Sequence, residues 1–298
     1  MKLLHCLIPA TLLIAVLCND ALAQSQHAKD FWRTILKQHA AVPEHESADA
    51  LAHELSAMLG STDPELRDDL AYSILATWIY RNVLSTPTLI ALTDEWRANL
   101  QTGIGEIGSN SVLRRSFSAL CLSELAKHES KTPFMGADRY HSLVAEATAY
   151  LQQERDLRGY DANLHWIHAT AHTADLLAAL ADSPMLTKEE ANSTLRAIDA
   201  RLATATEVFT QGEQDRLAAA VVAVLRRKDF DASTFSSWLA HLQEEDRDVW
   251  SATTPESLAR YQNHNYMLQA LTVRILIEPE SPSMSSYRQQ VVKLLSAR

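Results

Sequence analysis

Residues that start and stop helices recur through this chain at helix-length intervals, and that punctuation restricts the fold more than any other feature. Asp63-Pro64-Glu65 combines an N-cap, a proline at the first helical position and an acid on the positive end of the helix dipole. The helix it opens is expected to run to about Asn82, with Leu66, Leu70, Ile74, Leu75, Trp78 and Ile79 on the helical period. Gly60 closes a preceding helix over Ser47–Leu59. Thr86-Pro87 opens a helix ending near Gly103, Ser111–His128 forms another, and Thr187 with Glu190 reads as a capping box. Thr254-Pro255-Glu256 repeats the first type of start. With only 7 glycines and 9 prolines and no sustained period-two alternation, no strands are expected. About eleven or twelve helices joined by short loops predict an all-α fold of stacked antiparallel helix pairs. The expected arrangement is a HEAT-like α-solenoid, with a closed α/α toroid as the alternative.

The start of the chain is of another kind. Lys2 is followed by an apolar run over 3–18, and Ala21-Leu22-Ala23 supplies the small-x-small pattern of a signal-peptidase site. Residues 1–23 are therefore expected to be a cleaved signal peptide, and 24–298 a single helical domain exported to the periplasm. The apolar run is short for an uncleaved anchor, and Leu17 is too large for lipoprotein processing at Cys18. Removal of the signal leaves Cys121 alone, inside an apolar helical stretch, so packing rather than a disulfide must hold the fold. The loss of Lys2 and Asp20 leaves the formal charge at −10. That balance disfavours nucleic acid and anionic membrane surfaces as partners, and no membrane insertion is expected once the signal is removed. Small molecules, peptides and basic proteins remain.

One segment departs from ordinary helix composition. Arg158-Gly159 precedes His165-Trp166-Ile167-His168, and His172 and Asp175 follow. The spacings of 3, 4 and 3 would place three imidazoles and a carboxylate on one helix face. Three readings compete. The first is a metal site, for a divalent ion such as zinc, with His168, His172 and Asp175 as ligands. The second is a metal-free polar site, with His172 as a base oriented by Asp175 while Arg158 holds an anion. The third is a hydrogen-bond network that staples adjacent hairpins. A glutamate is missing from the general-base slot of the H-E-x-x-H zinc helix. Arg114-Arg115, Arg67-Asp68-Asp69 and Glu213 with Arg216 each read as solvated faces or inter-helix ion pairs. Gln262-Asn263-His264-Asn265 is a polar run inside an apolar helix and is expected to face the same cleft.

At these residues the chain resembles a bacterial family known only as a domain of unknown function, DUF2785. The resemblance rests on Asp156-Leu157-Arg158-Gly159 and on Trp166, His168, His172 and Asp175. It extends to Arg115-Ser116-Phe117-Ser118, to Leu66-Arg67-Asp68 with Tyr72, and to Glu213 with Arg216-Leu217. The family position before the tryptophan is glycine, where this chain has His165. The resemblance implies a helical-repeat fold and no activity.

Two functions are expected in competition. The first is an interaction scaffold with a cleft built from Arg158, Trp166, His168, His172, Asp175, Glu213 and Asn263, holding a peptide or protein partner. The second is a metal-dependent hydrolase with His168, His172 and Asp175 as ligands and Glu213 as base. Arg158 is expected to swing over the histidine helix and grip Asp175, Glu213 or a bound carboxylate, with Gly159 required for positive φ or for close approach.

Overall fold

The computed structural model describes residues 27–298, so the expected signal peptide lies outside the described residues. Helices dominate. They are α1 (Lys29–Lys37), α2 (Ala48–Met58), a π-helical stretch (Glu65–Tyr72) continuous with α3 (Ser73–Tyr80), α4 (Thr86–Asn99), α5 (Ser111–Glu129) and α6 (Ala137–Gln153). After a two-stranded hairpin, β1 (Tyr160–Asp161) and β2 (His165–Trp166), come α7 (Ala169–Ala181), α8 (Lys188–Thr204), α9 (Glu213–Leu225), α10 (Ala232–Glu245), α11 (Pro255–Ile277) and α12 (Pro282–Ser296).

The helices pack in series. One row runs from the π-helical stretch and α3 through α5, α7, α9 and α11, and a second runs through α6, α8, α10 and α12. Contacts of α4 with α5, α6 with α7, α8 with α9 and α11 with α12 join the rows. The tightest packing lies along α5, α7 and α9. These helices are buried over much of their length, as befits elements covered by neighbours. Ala169, Ala171 and Ala174 of α7 and Ala218 and Ala220 of α9 are all buried, and small side chains allow such close helix approach. Cys121 on α5 is a free, buried thiol whose pKa is pushed well up by burial, the state of an inert packing residue.

The predicted helix starts agree with the observed caps. Ser47 caps α2, Thr187 and Glu190 form the capping box of α8, and Thr254 caps α11 with Ser257 completing its box. Three differences stand out. The α4 cap is Ser85, one residue earlier than the Thr86-Pro87 signal indicated. The helix opened by Asp63-Pro64 begins as a π-helix, a form common at functional sites. A small antiparallel hairpin occupies a stretch where no strand was expected. No helix among the described residues is long and apolar enough to cross a membrane. The Thr187→Ala variant removes the hydroxyl that accepts from the Glu190 N–H, while the backbone N–H of residue 187 keeps its bond to the Glu190 carboxylate, and is expected to cost about 1 kcal/mol, read as a lower denaturant midpoint at unchanged m-value.

Candidate functional site

The segment between α6 and α7 is irregular backbone lodged among helices, so its polar groups need partners from outside itself. Three arginines, all without solvent exposure or nearly so, supply many of them. Arg67, from the π-helical stretch, donates to the carbonyls of Leu164, Trp166 (3.0 Å) and Ser61 (2.6 Å). Arg201, from α8, donates to the carbonyls of Glu154 and Asp156 (3.1 Å) and to Thr170 Oγ1 (2.7 and 2.9 Å). Arg115, from α5, grips the Glu154 carboxylate (2.8 and 3.2 Å) and the carbonyls of Thr102 and Gly103 (both 2.8 Å). Burial drives the Arg201 pKa down to about 10. Burial acts the same way on Arg115, but Glu154 outweighs it and holds the pKa above the usual arginine value.

On this foundation the chain turns back. The Asp161 carboxylate accepts from the backbone N–H groups of Asn163 (2.8 Å) and Leu164 (2.9 Å), forming the turn that pairs Tyr160 with Trp166 and Asp161 with His165. His165 and His168 both adopt left-handed backbone conformations, with φ of 56° and 52°. Such conformations at non-glycine residues store strain that the surroundings must sustain. His168 caps α7 rather than riding on it, so the helical face expected from residue 165 onward begins only after His168.

The rings form a stack running inward from solvent. Trp166, 39% exposed, stacks on His168 at 4.9 Å, and His168 meets His172 edge-on at 5.6 Å. His172 meets Phe117 at 5.1 Å, and the Arg67 guanidinium lies 4.8 Å from the Phe117 ring centre. His168 Nε2 donates to the Gln211 carbonyl (3.0 Å) and lies 3.5 Å from Glu213 Oε1. The Ser116 hydroxyl donates its proton to the Ile167 carbonyl, so its oxygen accepts from His172 Nδ1 at 2.8 Å. That serine is therefore bonded as a positioning group and not as a nucleophile facing a base. Burial pushes the pKa of both histidines down, that of His172 far below 6.5.

The remaining expected residues fall in different places. Asp175 turns to Arg216 on α9, 2.8 Å away through both carboxylate oxygens. The expected ligand set is thus divided: His168 faces Gln211, His172 faces Ser116 and Asp175 faces Arg216. Arg158 does not reach Asp175 or Glu213, because Asp156 two residues earlier takes its guanidinium at 2.6 Å and the Ser109 carbonyl takes another donor at 2.9 Å. The Asp156 carboxyl sits below its ordinary pKa, since Arg158 and the Gly108 N–H outweigh the opposing effect of burial. Asn263 is fully buried under the loop before α9. It accepts from Phe209 N (2.9 Å) and donates to the Glu207 carbonyl (2.9 Å), so it supports the Gln211 loop from beneath rather than lining the cleft. Glu213 is buried and accepts from Gln211 N (2.8 Å). Arg67 and Arg115, expected on solvated faces or in inter-helix ion pairs, are both buried: Arg115 is ion-paired with Glu154, whereas Arg67 bonds backbone carbonyls. Gly159 is needed for close approach, not positive φ: an added Cβ would lie 2.5 Å from Gln211 Cγ and 2.6 Å from Glu213 Oε1.

A family model described as "Protein of unknown function (DUF2785)" matches residues 100–273, more than half of the chain. The chain belongs to the DUF2785 family. No curated protein and no solved structure matches it. The matched span holds the DUF2785 chain's hairpin, Arg115, Arg201 and the Gln211 loop, while Arg67 reaches the hairpin from before its start.

Two outcomes test this geometry. Gly159→Ala should lower unfolding free energy by about 1–3 kcal/mol in chemical denaturation, because the hairpin or the Gln211 loop has to move. The second concerns pH. His172 stays neutral in the folded state while the unfolded imidazole protonates near pH 6.5, so its contribution is complete above that pH and declines below it. In His172→Asn, which keeps a donor for Ser116, the fall in stability between pH 7 and pH 5 should be shallower by up to about 1.4 kcal/mol per pH unit.

Proposed function

We propose that this chain is a binding module that presents an aromatic platform on the anchored hairpin to a peptide or protein partner. The observation that carries this reading is the exposed trio Tyr160, His165 and Trp166. Tyr160 stacks on His165 at 5.6 Å and meets Trp166 edge-on at 5.1 Å, and Tyr160 remains 48% exposed. Large aromatic rings held at fixed positions give contact area at little cost in side-chain entropy, the property of interface anchors. Beneath them lie buried arginines, a strained backbone and a shared ring stack, which together fix the platform before any partner arrives.

The rim is acidic. Asp69 is exposed and Asp68, Asp161 and Asp175 are half-buried, while Arg216 is engaged by Asp175. Burial and the neighbouring Asp69 push the Asp68 carboxyl above its ordinary pKa, against the smaller opposing effects of Arg67 and His165. With a chain charge of −10, the partner that suits this surface is basic with an apolar or aromatic anchor. The apolar start of the sequence supports export, with the periplasm as the place of encounter. A hydrolase centred on His168, His172, Asp175 and Glu213 is the weaker reading, since His168 and Glu213 are both bonded to Gln211, His172 to Ser116 and Asp175 to Arg216.

A random-peptide display selection against the purified chain, counter-selected against a Tyr160→Ala/Trp166→Ala variant, tests the proposal. Enriched peptides should be basic with an aromatic or aliphatic anchor and should bind the variant more than tenfold weaker, roughly the loss of one interface anchor. Helical circular dichroism should stay unchanged in the variant, with a thermal midpoint lowered only by the loss of the Trp166–His168 stacking. Peptides that bind both proteins equally would overturn the reading.

A further inference from the structure

At the other end of the array, three helices bring together side chains that the hairpin does not involve. Asp199 of α8, Glu245 at the end of α10 and His264 of α11 each offer one ligand atom, and the three atoms lie within 4.8 Å of one another. His264 has 0% exposure, and its Nδ1 lies 2.8 Å from Asp246 Oδ2. A carboxylate oxygen only accepts, so Nδ1 carries a proton, and Nε2 on the far side of the ring points the other way. There it meets Glu245 Oε2 at 3.8 Å. His264 Nε2, Glu245 Oε2 and Asp199 Oδ1 are all buried with no hydrogen-bond partner. Buried polar atoms are nearly always partnered, so three converging acceptors without a donor call for a positive charge between them.

The charges nearby do not fill that role. Arg298 and Arg260 face Asp246, at 2.8 and 3.7 Å. His241, on the solvent side, lies 3.2 Å from Asp199 Oδ2 and 3.8 Å from Glu245 Oε1, the outer oxygens of both carboxylates. The inner oxygens are left to each other and to His264.

We propose that Asp199, Glu245 and His264 form a binding site for a divalent transition-metal cation of zinc type, with Asp246 orienting the imidazole. One nitrogen and two carboxylate oxygens suit zinc, and a carboxylate bonded to the far nitrogen of a ligating histidine is the usual support of such a ring. Ligands about 2.1 Å from a tetrahedral ion stand about 3.4 Å apart, so the three side chains close on the ion by small side-chain adjustments. The remaining position opens toward half-exposed His241 and solvent. This site is independent of the aromatic platform, and neither proposal requires the other.

The test is isothermal titration of the chelator-treated full chain with zinc chloride, repeated with cobalt(II) to read its visible absorption. One equivalent should bind and raise the thermal midpoint. Asp199→Asn, nearly isosteric, should abolish the cobalt spectrum and weaken zinc at least tenfold. Asp246→Asn should weaken it by roughly 10–100-fold while leaving the ligand count intact. Wild-type stoichiometry in a His168→Ala/His172→Ala variant would separate this site from the hairpin histidines. Absence of a bound equivalent in the wild type, or undiminished binding in Asp199→Asn, would overturn the proposal.

Discussion

Burial of arginine guanidinium groups against backbone carbonyls is the interaction on which the rest of this structure depends. An irregular segment between two helices of a packed array exposes carbonyl oxygens to an interior without water, and each unpartnered one costs about 1–3 kcal/mol. Arginine answers this economically, with five donors in a planar fork and a charge spread over the whole group. Arg115 brings Glu154 with it as an ion pair, whereas Arg67 and Arg201 rely chiefly on carbonyl dipoles and on the faces of Phe117 and Phe209. The hairpin conformation, the strained cap at His168 and the outward display of Trp166 all follow from where those donors sit.

The ring stack adds a second constraint. Because His168 and His172 are buried and their pKa values depressed, the stack is built from neutral aromatic groups, and its only full charge is Arg67 at the inner end. Ser116 ties the first turn of α7 to the hairpin by bonding Ile167 and His172 together. The residues that gave this segment the look of a catalytic or metal centre are therefore mostly consumed in holding a surface in place. A converging cluster of buried polar atoms without partners lies elsewhere, where α8, α10 and α11 meet.

Much of the helical framework was legible because helix caps act locally: Ser47, Thr187 and Thr254 each bond backbone within three residues. The grouping of the motif residues was legible too, since Arg67, Arg115, Asp156, Trp166, His168 and Glu213 all meet at one junction. Their roles were not. The spacing from His165 to Asp175 reads as one helix face unless residue 168 is known to be left-handed, and that conformation is imposed by contacts with Gln211 and the hairpin. The π-helical start uses the same residue types as an α-helix and leaves no compositional trace. Buried arginines did leave a sign. Arg115 lies three residues after Val112 and four before Ala119, and Arg201 lies four after Ala197 and three after Ile198, so both occupy apolar faces. A charge on the wrong face of a helix is a buried charge awaiting its partner, a signal stronger than the imidazole spacing.

The hairpin segment also alters how an array of this kind comes apart. A row of helices touching only their neighbours behaves as a one-dimensional chain, free to fray from either end one pair at a time. Here a single segment is bonded through its backbone to the π-helical stretch, to α5 and to α8, and through the His168 side chain to the loop before α9, so it spans most of the row. Opening any one of these elements leaves buried carbonyls of the shared segment without donors. The middle of the molecule is thereby fused into one cooperative block, and progressive fraying is confined to α1 and α2 at one end and α10 to α12 at the other.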